Sequence, residues 1–342
     1  MRNLLTDIPG IAVGHATDIA TGTGATAILF DEAATASAAI LGGAPGSRDT
    51  ALLEPEMTQQ KVNAFVLSGG SIYGLDAAGG VQAYLRENNR GQRLRDALIP
   101  IVPQAIVFDL LNGGNKNWGR FSPYRDLGWQ AAEAATHGEF ALGTVGAGTG
   151  ATTSTVKGGI GSASATIAGY TVSAIVAVNA VGTATIGDGP HFWAAPFEQN
   201  AEFGGLGLPT SFDLRPRLKG LPPPATATTI GLIATDATLT KAECKRLAIM
   251  ANDGLARAIF PAHAPGDGDT VFAAATGTKP LADPMDLTLI GHLATQVFAR
   301  AIARGVYEAT ALPYPPGVPS WKDRFKQSGS FLKKRTKKLL FV

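Results

Sequence analysis

One cysteine, Cys244, stands among 342 residues, so neither an internal disulfide nor a cysteine metal cluster can form. Such usage suits a reducing compartment. Charge is scarce at 16% and aromatics at 7%, which leaves Ala, Val, Ile and Leu to build the core. No apolar run reaches the ~18–20 residues of a membrane span. At the N-terminus, Asp7 and Pro9 interrupt the chain before a secretory core could form. A soluble cytoplasmic protein is the expectation.

What is abundant is glycine, 42 residues, with 21 prolines and 45% hydrophobic residues. This composition indicates a strand-rich body with many tight turns, and excludes a disordered or coiled-coil chain. The net charge of +2 hides an asymmetry. Residues 321–342 carry eight basic side chains against Asp323, or +7, leaving −5 for the rest. A basic, partly apolar tail could touch a membrane surface, but a solvated extension is the simpler reading. The acidic body argues against nucleic acid as a main partner.

Strand-like runs recur at 24–30, 63–70, 99–110, 139–146, 170–182, 228–237 and 269–277. Most are continuously apolar, as in sheets covered on both faces. Three helices are expected. The first, over 71–87, carries Ile72, Leu75, Val81 and Leu85. The second opens on the capping box Thr240-x-x-Glu243, with Cys244, Leu247, Ala251, Leu255 and Ala258 on one stripe. The third, near 284–304, carries Leu287, Ile290, Leu293, Val297 and Ile302. Helix layers over sheet give a mixed α/β architecture. Between roughly 187 and 224 the patterning dissolves, and a stretch that long tends to be functional or mobile.

Several short motifs fail on context. Gly146-x-Gly148-x-x-Ala151 satisfies a dinucleotide pattern, but neither a helix nor a ribose-binding acid follows. Lys157 precedes Gly158, not the Ser or Thr of a phosphate loop. GGSIYG places Tyr73 where a nucleophile elbow needs glycine; Ser68 to Ser71 read better as a helix start able to receive an anion. The five histidines lack metal-ligand spacing, and no metal or cofactor is expected.

Four features remain. Lys157 sits in a glycine-rich stretch beside Thr152, Thr153, Ser154 and Thr155; Asn179 interrupts the apolar run AIVAVNAVG; Asp267 and Asp269 flank Gly268; and Thr228-Thr229 follow a proline run at the mouth of a strand. Singly each has a bland reading: turn lysine, hydrogen-bonded core amide, loop-capping aspartates. Together they offer a nucleophile, a cation, an amide donor and paired carboxylates.

At these residues the chain resembles the self-processing L-aminopeptidase/D-amidase-esterase family, which includes β-aminopeptidases and nylon-oligomer endo-hydrolases. The matching segments are IPGIAVGHATD, GGAPGSRDT, LSGGSIYGLDAAGGV, GTVGAGTGATTSTVKGGIG, VAVNAVG, TTIGLIATDATLTKAECKRLA and DGDTVFAAATG, in family order over about residues 3–320. The resemblance implies a four-layer αββα sandwich like that of N-terminal-nucleophile hydrolases, in one domain over 1–320 followed by the tail 321–342. It implies a precursor cut between Ala227 and Thr228 into pieces 1–227 and 228–342, which assemble as homo-oligomers. Thr228 is then the nucleophile, Lys157 the family's lysine, Asn179 the oxyanion-site amide, and Asp267 and Asp269 the pair that orients Thr228 and pairs with Lys157. Phe108 stands where some relatives carry a tyrosine near the substrate; it, Ser71 and Tyr73 are candidates for the pocket wall. Many relatives have Asn where this chain has Ala227, but the carbonyl is what is attacked. The expected activity is hydrolysis of small peptides, amides or esters. Acyl transfer through the same intermediate and an uncut scaffold protein are the alternatives.

Overall fold

A computed structural model of the chain describes residues 1–219, 227–315 and 317–326. Its strands are β1 (Ile11–Asp18), β2 (Thr23–Ile40), β3 (Ser47–Arg48), β4 (Lys61–Ser68), β5 (Gln92–Leu94), β6 (Ala97–Ile99), β7 (Gln104–Ile106), β8 (Ile160–Ile167), β9 (Tyr170–Asn179), β10 (Thr228–Ala237) and β11 (Thr270–Lys279). The helices are α1 (Ala77–Glu87), α2 (Tyr124–Glu133), α3 (Lys241–Ala256), α4 (Asp286–Glu308) and α5 (Trp321–Lys326). β5 and β6 form a separate hairpin. The other strands join in the order β3-β7-β4-β2-β11-β10-β9-β8, with β1 also on β2.

The 18-residue β2 makes this one ladder into two packed sheets. Its first half pairs with β1 and with β4; its pairing with β4 shifts register between Leu29 and Ala34; its second half, Thr35 to Ile40, pairs with β11. The strand thus leaves one sheet and enters the other, as bulged strands do. Between the sheets lie Ile28, Phe30, Phe65 and Leu67 from one side and Ile175, Ile230, Leu232 and Phe272 from the other. Phe65 and Phe272 stack with ring centroids 4.5 Å apart. α1 and α2 cover the outer face of the first sheet through Val81, Leu85, Tyr124 and Leu127. α3 and α4 cover the second through Leu247, Leu255, Val297 and Ile302. Four layers, αββα, result.

Period-two alternation decides what faces what. On β9, Val172, Ala174, Val176 and Val178 point to α3 and α4, while Ile175 and Ala177 point between the sheets. Ile230, Leu232 and Ala234 of β10 also point inward. Continuing each count one step places Thr228 and Asn179 on the inward face, at the open end of the sandwich.

α3 forms as expected. Thr240 N–H donates to Glu243 Oε2 at 2.7 Å and Glu243 N–H to Thr240 Oγ1 at 3.3 Å. The stripe Cys244, Leu247, Ala251 and Leu255 is fully buried. The expected helix over 71–87 is instead a 3-10 turn, Ser71–Asp76, followed by α1, and Ile72 is exposed. At its start, Gly70 N–H donates to Asp109 Oδ1 and Ser71 N–H to the Val107 carbonyl. Residues 139–146 form loop and turn, not strand, because Gly143 turns the chain at φ +83°. β1, β8 and α2 were not expected.

The stretch from 187 has little regular structure but is anchored. Phe192 and Phe203 are buried, and Glu202 meets Arg300 Nε at 2.5 Å. Prolines 222–224 lie outside the described residues. So does the tail beyond 326, but its expected start is moved: Trp321 is buried, stacks on Phe192, and donates Nε1–H to the Pro190 carbonyl at 3.0 Å. Lys322 pairs with Glu308, and Arg324 donates to the Thr155 carbonyl. The folded body therefore includes residues assigned to the tail. No helix among the described residues is long and apolar enough to cross a membrane.

Candidate active site

Thr228 heads β10 directly opposite Asn179 on β9, while Ala227 bridges in parallel to Asp267. Thr228 is only 3% exposed. Its hydroxyl donates to the Ala227 carbonyl oxygen. The same oxygen accepts the Gly268 N–H at 3.0 Å, and Ala227 N–H donates to the Gly266 carbonyl at 3.2 Å. The 227–228 peptide is therefore clamped along the 266–268 loop, with one backbone donor already on its carbonyl. Position 268 must be glycine, since a Cβ there would lie 2.8 Å from Thr228 Oγ and 2.6 Å from the Ala44 carbonyl.

The two aspartates do different work. Asp267 accepts the Val181 and Ala264 N–H groups at 3.1 and 3.0 Å, tying the end of β9 to the 264–268 loop. Asp269 accepts Thr229 N–H at 2.8 Å through one oxygen, and His263 N–H and Nδ1 at 3.0 and 2.9 Å through the other. It thus holds the strand one residue past Thr228, and His263 is a partner that spacing alone did not reveal. Burial, then the charge of Asp269, pushes the Asp267 carboxyl up to about 6.

Lys157 is 1% exposed, and its three donors go to the carbonyls of Gly148, Ala151 and Gly158 at 2.9, 2.7 and 2.8 Å. An ammonium has only three N–H bonds. The expected pairing of Lys157 with Asp267 and Asp269 is absent, and its hydrogen bonds leave nothing for Thr228. Burial pulls the Lys157 ammonium down to about 7, against the charge of Asp109, which favours protonation. Asp109, unremarked in IVFDL, is buried and accepts Thr23 Oγ–H at 2.6 Å and Gly70 N–H at 2.8 Å. Lys157 instead organises the loop whose Thr152 N–H donates to Asn179 Oδ1 at 3.0 Å.

Asn179 is fully buried. Its Oδ1 also accepts Lys219 Nζ at 2.7 Å, and its Nδ2 donates to the Phe108 carbonyl at 3.0 Å. Lys219 was missed because it comes from the unpatterned stretch, where no period points to a partner. Beside Thr228 opens a cavity of about 200 Å³, lined by Pro45, Ser71, Ile72, Ile106 and Phe108 among others. Of the three expected wall residues, Phe108 and Ser71 line it. Tyr73 turns into a neighbouring cavity of about 610 Å³ beside Trp118. Among the described residues no group of three His, Cys, Asp or Glu could hold a metal ion.

The fold recurs in solved structures. The β-aminopeptidase of a Burkholderia species superposes with a TM-score of 0.71 at 21% identity, covering 97% of this chain and 94% of that one. The L-aminopeptidase D-Ala-esterase/amidase of Ochrobactrum anthropi, described as a variant of the Ntn hydrolase fold, gives 0.68 at 19% identity, covering 96% and 94%. In sequence, an uncharacterized aminopeptidase of Mycobacterium tuberculosis is 39% identical over 94% of this chain and 98% of its own. A 6-aminohexanoate-oligomer endohydrolase of Paenarthrobacter ureafaciens is 28% identical, over 86% and 84%. Residues 3–317 match Peptidase family S58. The chain belongs to that family, and it is a hydrolase of the aminopeptidase and amidase type.

Proposed function

We propose that the chain is a self-processing N-terminal-threonine hydrolase, cut between Ala227 and Thr228 and acting through an acyl-enzyme on Thr228. The observation that carries this reading is the Ala227 carbonyl, held by the Gly268 N–H with the Thr228 hydroxyl already on it. In the precursor the hydroxyl oxygen turns onto that carbonyl carbon and the C–O bond forms. The developing oxyanion stays on the Gly268 N–H, and the hydroxyl's proton passes to the Thr228 nitrogen as the C–N bond breaks, leaving an ester and a free amine. Water then hydrolyses the ester and releases Ala227 as a carboxylate.

The freed α-amine of Thr228, with a reference pKa of about 7.7–8.0, serves as base for its own hydroxyl. The hydroxyl attacks an incoming amide or ester, and Asn179 donates to the new oxyanion. A donor of this kind is worth roughly 3 kcal/mol. Asp269 fixes the strand at Thr229, Asp267 fixes the loop behind the site, and Lys157 fixes the loop that holds Asn179. The branched threonine side chain limits χ1 and helps aim the oxygen. The cavity of about 200 Å³ with Ile72, Ile106 and Phe108 on its wall suits a small apolar acyl group. Relatives named as an aminopeptidase and a 6-aminohexanoate-oligomer endohydrolase accord with an amide or ester substrate.

Intact-mass analysis of purified protein tests the reading: fragments 1–227 and 228–342 are expected. Thr228→Ala should give a single uncut mass and no hydrolysis. Hydrolysis that persists in this variant sinks the assignment.

A further inference from the structure

The Asn179 carboxamide has an orientation enforced by its neighbours. Its oxygen faces two donors, the Thr152 N–H at 3.0 Å and the Lys219 ammonium at 2.7 Å. Its nitrogen spends one N–H on the Phe108 carbonyl at 3.0 Å, leaving one N–H. Turned over, the NH2 group would face an N–H and an ammonium, an arrangement with no acceptor. Lys219 is itself fixed. Its backbone N–H donates to the Val181 carbonyl at 2.8 Å, and its ammonium also reaches the Thr152 carbonyl at 3.2 Å. The residue is half-buried, but the ammonium lies inside, where burial lowers it to about 7 while Asp109 and Asp267 favour its charge.

We propose that Lys219 is a positioning residue that fixes the Asn179 carboxamide and polarises its remaining N–H for the acyl oxygen. The Lys219 N–H on the amide oxygen draws electron density from the nitrogen, most strongly when Lys219 is protonated, which makes the Asn179 N–H a stronger donor when negative charge develops on the substrate. Hydrogen bonds to ionised groups are roughly twice as strong as neutral ones, and bonds in series reinforce one another. The gain arises chiefly in the transition state, so it belongs in kcat, not KM. The inference rests on the proposed function, in which Asn179 serves the oxyanion.

The test is a double-mutant cycle in the full-length chain, using matured protein confirmed by mass and matched by melting temperature. Steady-state kinetics on a small aminoacyl p-nitroanilide are compared for wild type, Lys219→Met, Asn179→Ala and the double variant. Lys219→Met should lower kcat by about 10- to 100-fold, short of the ~10²–10³ lost with a donor itself, and leave KM within about threefold. In the Asn179→Ala background the same change should cost no more than about twofold. Lys219→Gln, which can still donate to Oδ1, should recover part of the loss. It also replaces Lys219→Met in the cycle if that variant fails to fold. Losses that multiply, or an unchanged kcat in Lys219→Met, overturn the role of Lys219 alone. Wild-type kinetics in Asn179→Ala overturn the assignment of Asn179 and this inference with it.

Discussion

Replacing Lys157 by Met should change how stability depends on pH, in a direction the structure dictates. Burial holds the Lys157 ammonium near 7, whereas the unfolded chain protonates at the ordinary 10.5. Between those values the unfolded state carries a proton that the native state has released. Native wild type therefore gains stability as pH rises through this window, at about 1.4 kcal/mol per pH unit. Below pH 7 both states are protonated, the slope vanishes, and the net cost of the buried charge, roughly 4–5 kcal/mol, is fully present. Met carries no proton in either state. The variant's relative advantage should thus be largest in acid and shrink by about 2–3 kcal/mol between about pH 7.5 and about 9.5. The changed packing does not vary with pH and cancels from the difference, and any change in the contacts to Gly148, Ala151 and Gly158 on deprotonation is already part of the native pKa. Lys219 is present in both proteins and cancels apart from its repulsion of Lys157. The assay is urea unfolding followed by circular dichroism, at one protein concentration, with both proteins also carrying Thr228→Ala to keep the chain uncut. A flat difference across the window refutes the reasoning and would mean that Asp109 holds the ammonium charged throughout it; a difference of opposite sign refutes it as well.

Three further outcomes follow from close contacts in the folded body. Gly268→Ala places a Cβ 2.6 Å from the Ala44 carbonyl and 2.8 Å from Thr228 Oγ; intact-mass analysis should find little cleavage, and the melting temperature should fall. Glu202→Ala leaves Arg300 buried without its carboxylate, which should cost about 3–5 kcal/mol in denaturant unfolding. Trp321→Ala empties a site packed by Phe192, Tyr307 and Phe325 and should cost a similar ~3–5 kcal/mol. An unchanged midpoint would restore residue 321 to a solvated tail.

The parts of the fold that were legible are those where one physical signal dominates. The apolar runs at 170–179 and 228–237 are strands buried on both faces, and Thr240-x-x-Glu243 opens α3. β8 was hidden because GSASATI is built of small residues that pack tightly without registering as apolar. α2, YRDLGWQAAE, was hidden by its mixed polarity. At the site, Thr228, Asn179, Asp267 and Asp269 converge from strand ends that a sequence can mark. The loop partners of Lys157, the role of Lys219 and the burial of Asp109 come from long-range contacts, and no local pattern encodes these.

The placement of β10 and β11 bears on what the proposed cut does to the molecule. Both belong to the downstream piece, yet they lie between β2 and β9 of the upstream piece and pair with them along their length. Severing the 227–228 bond would alter connectivity without loosening adhesion, because two ladders and the shared intersheet core still join the halves. Forward folding happens in one tethered chain; after the cut, recovery from full unfolding would require two separate molecules to find each other and interleave. Such a mature enzyme would be assembled once, and its working life would be set by how slowly that wedge of strands comes out.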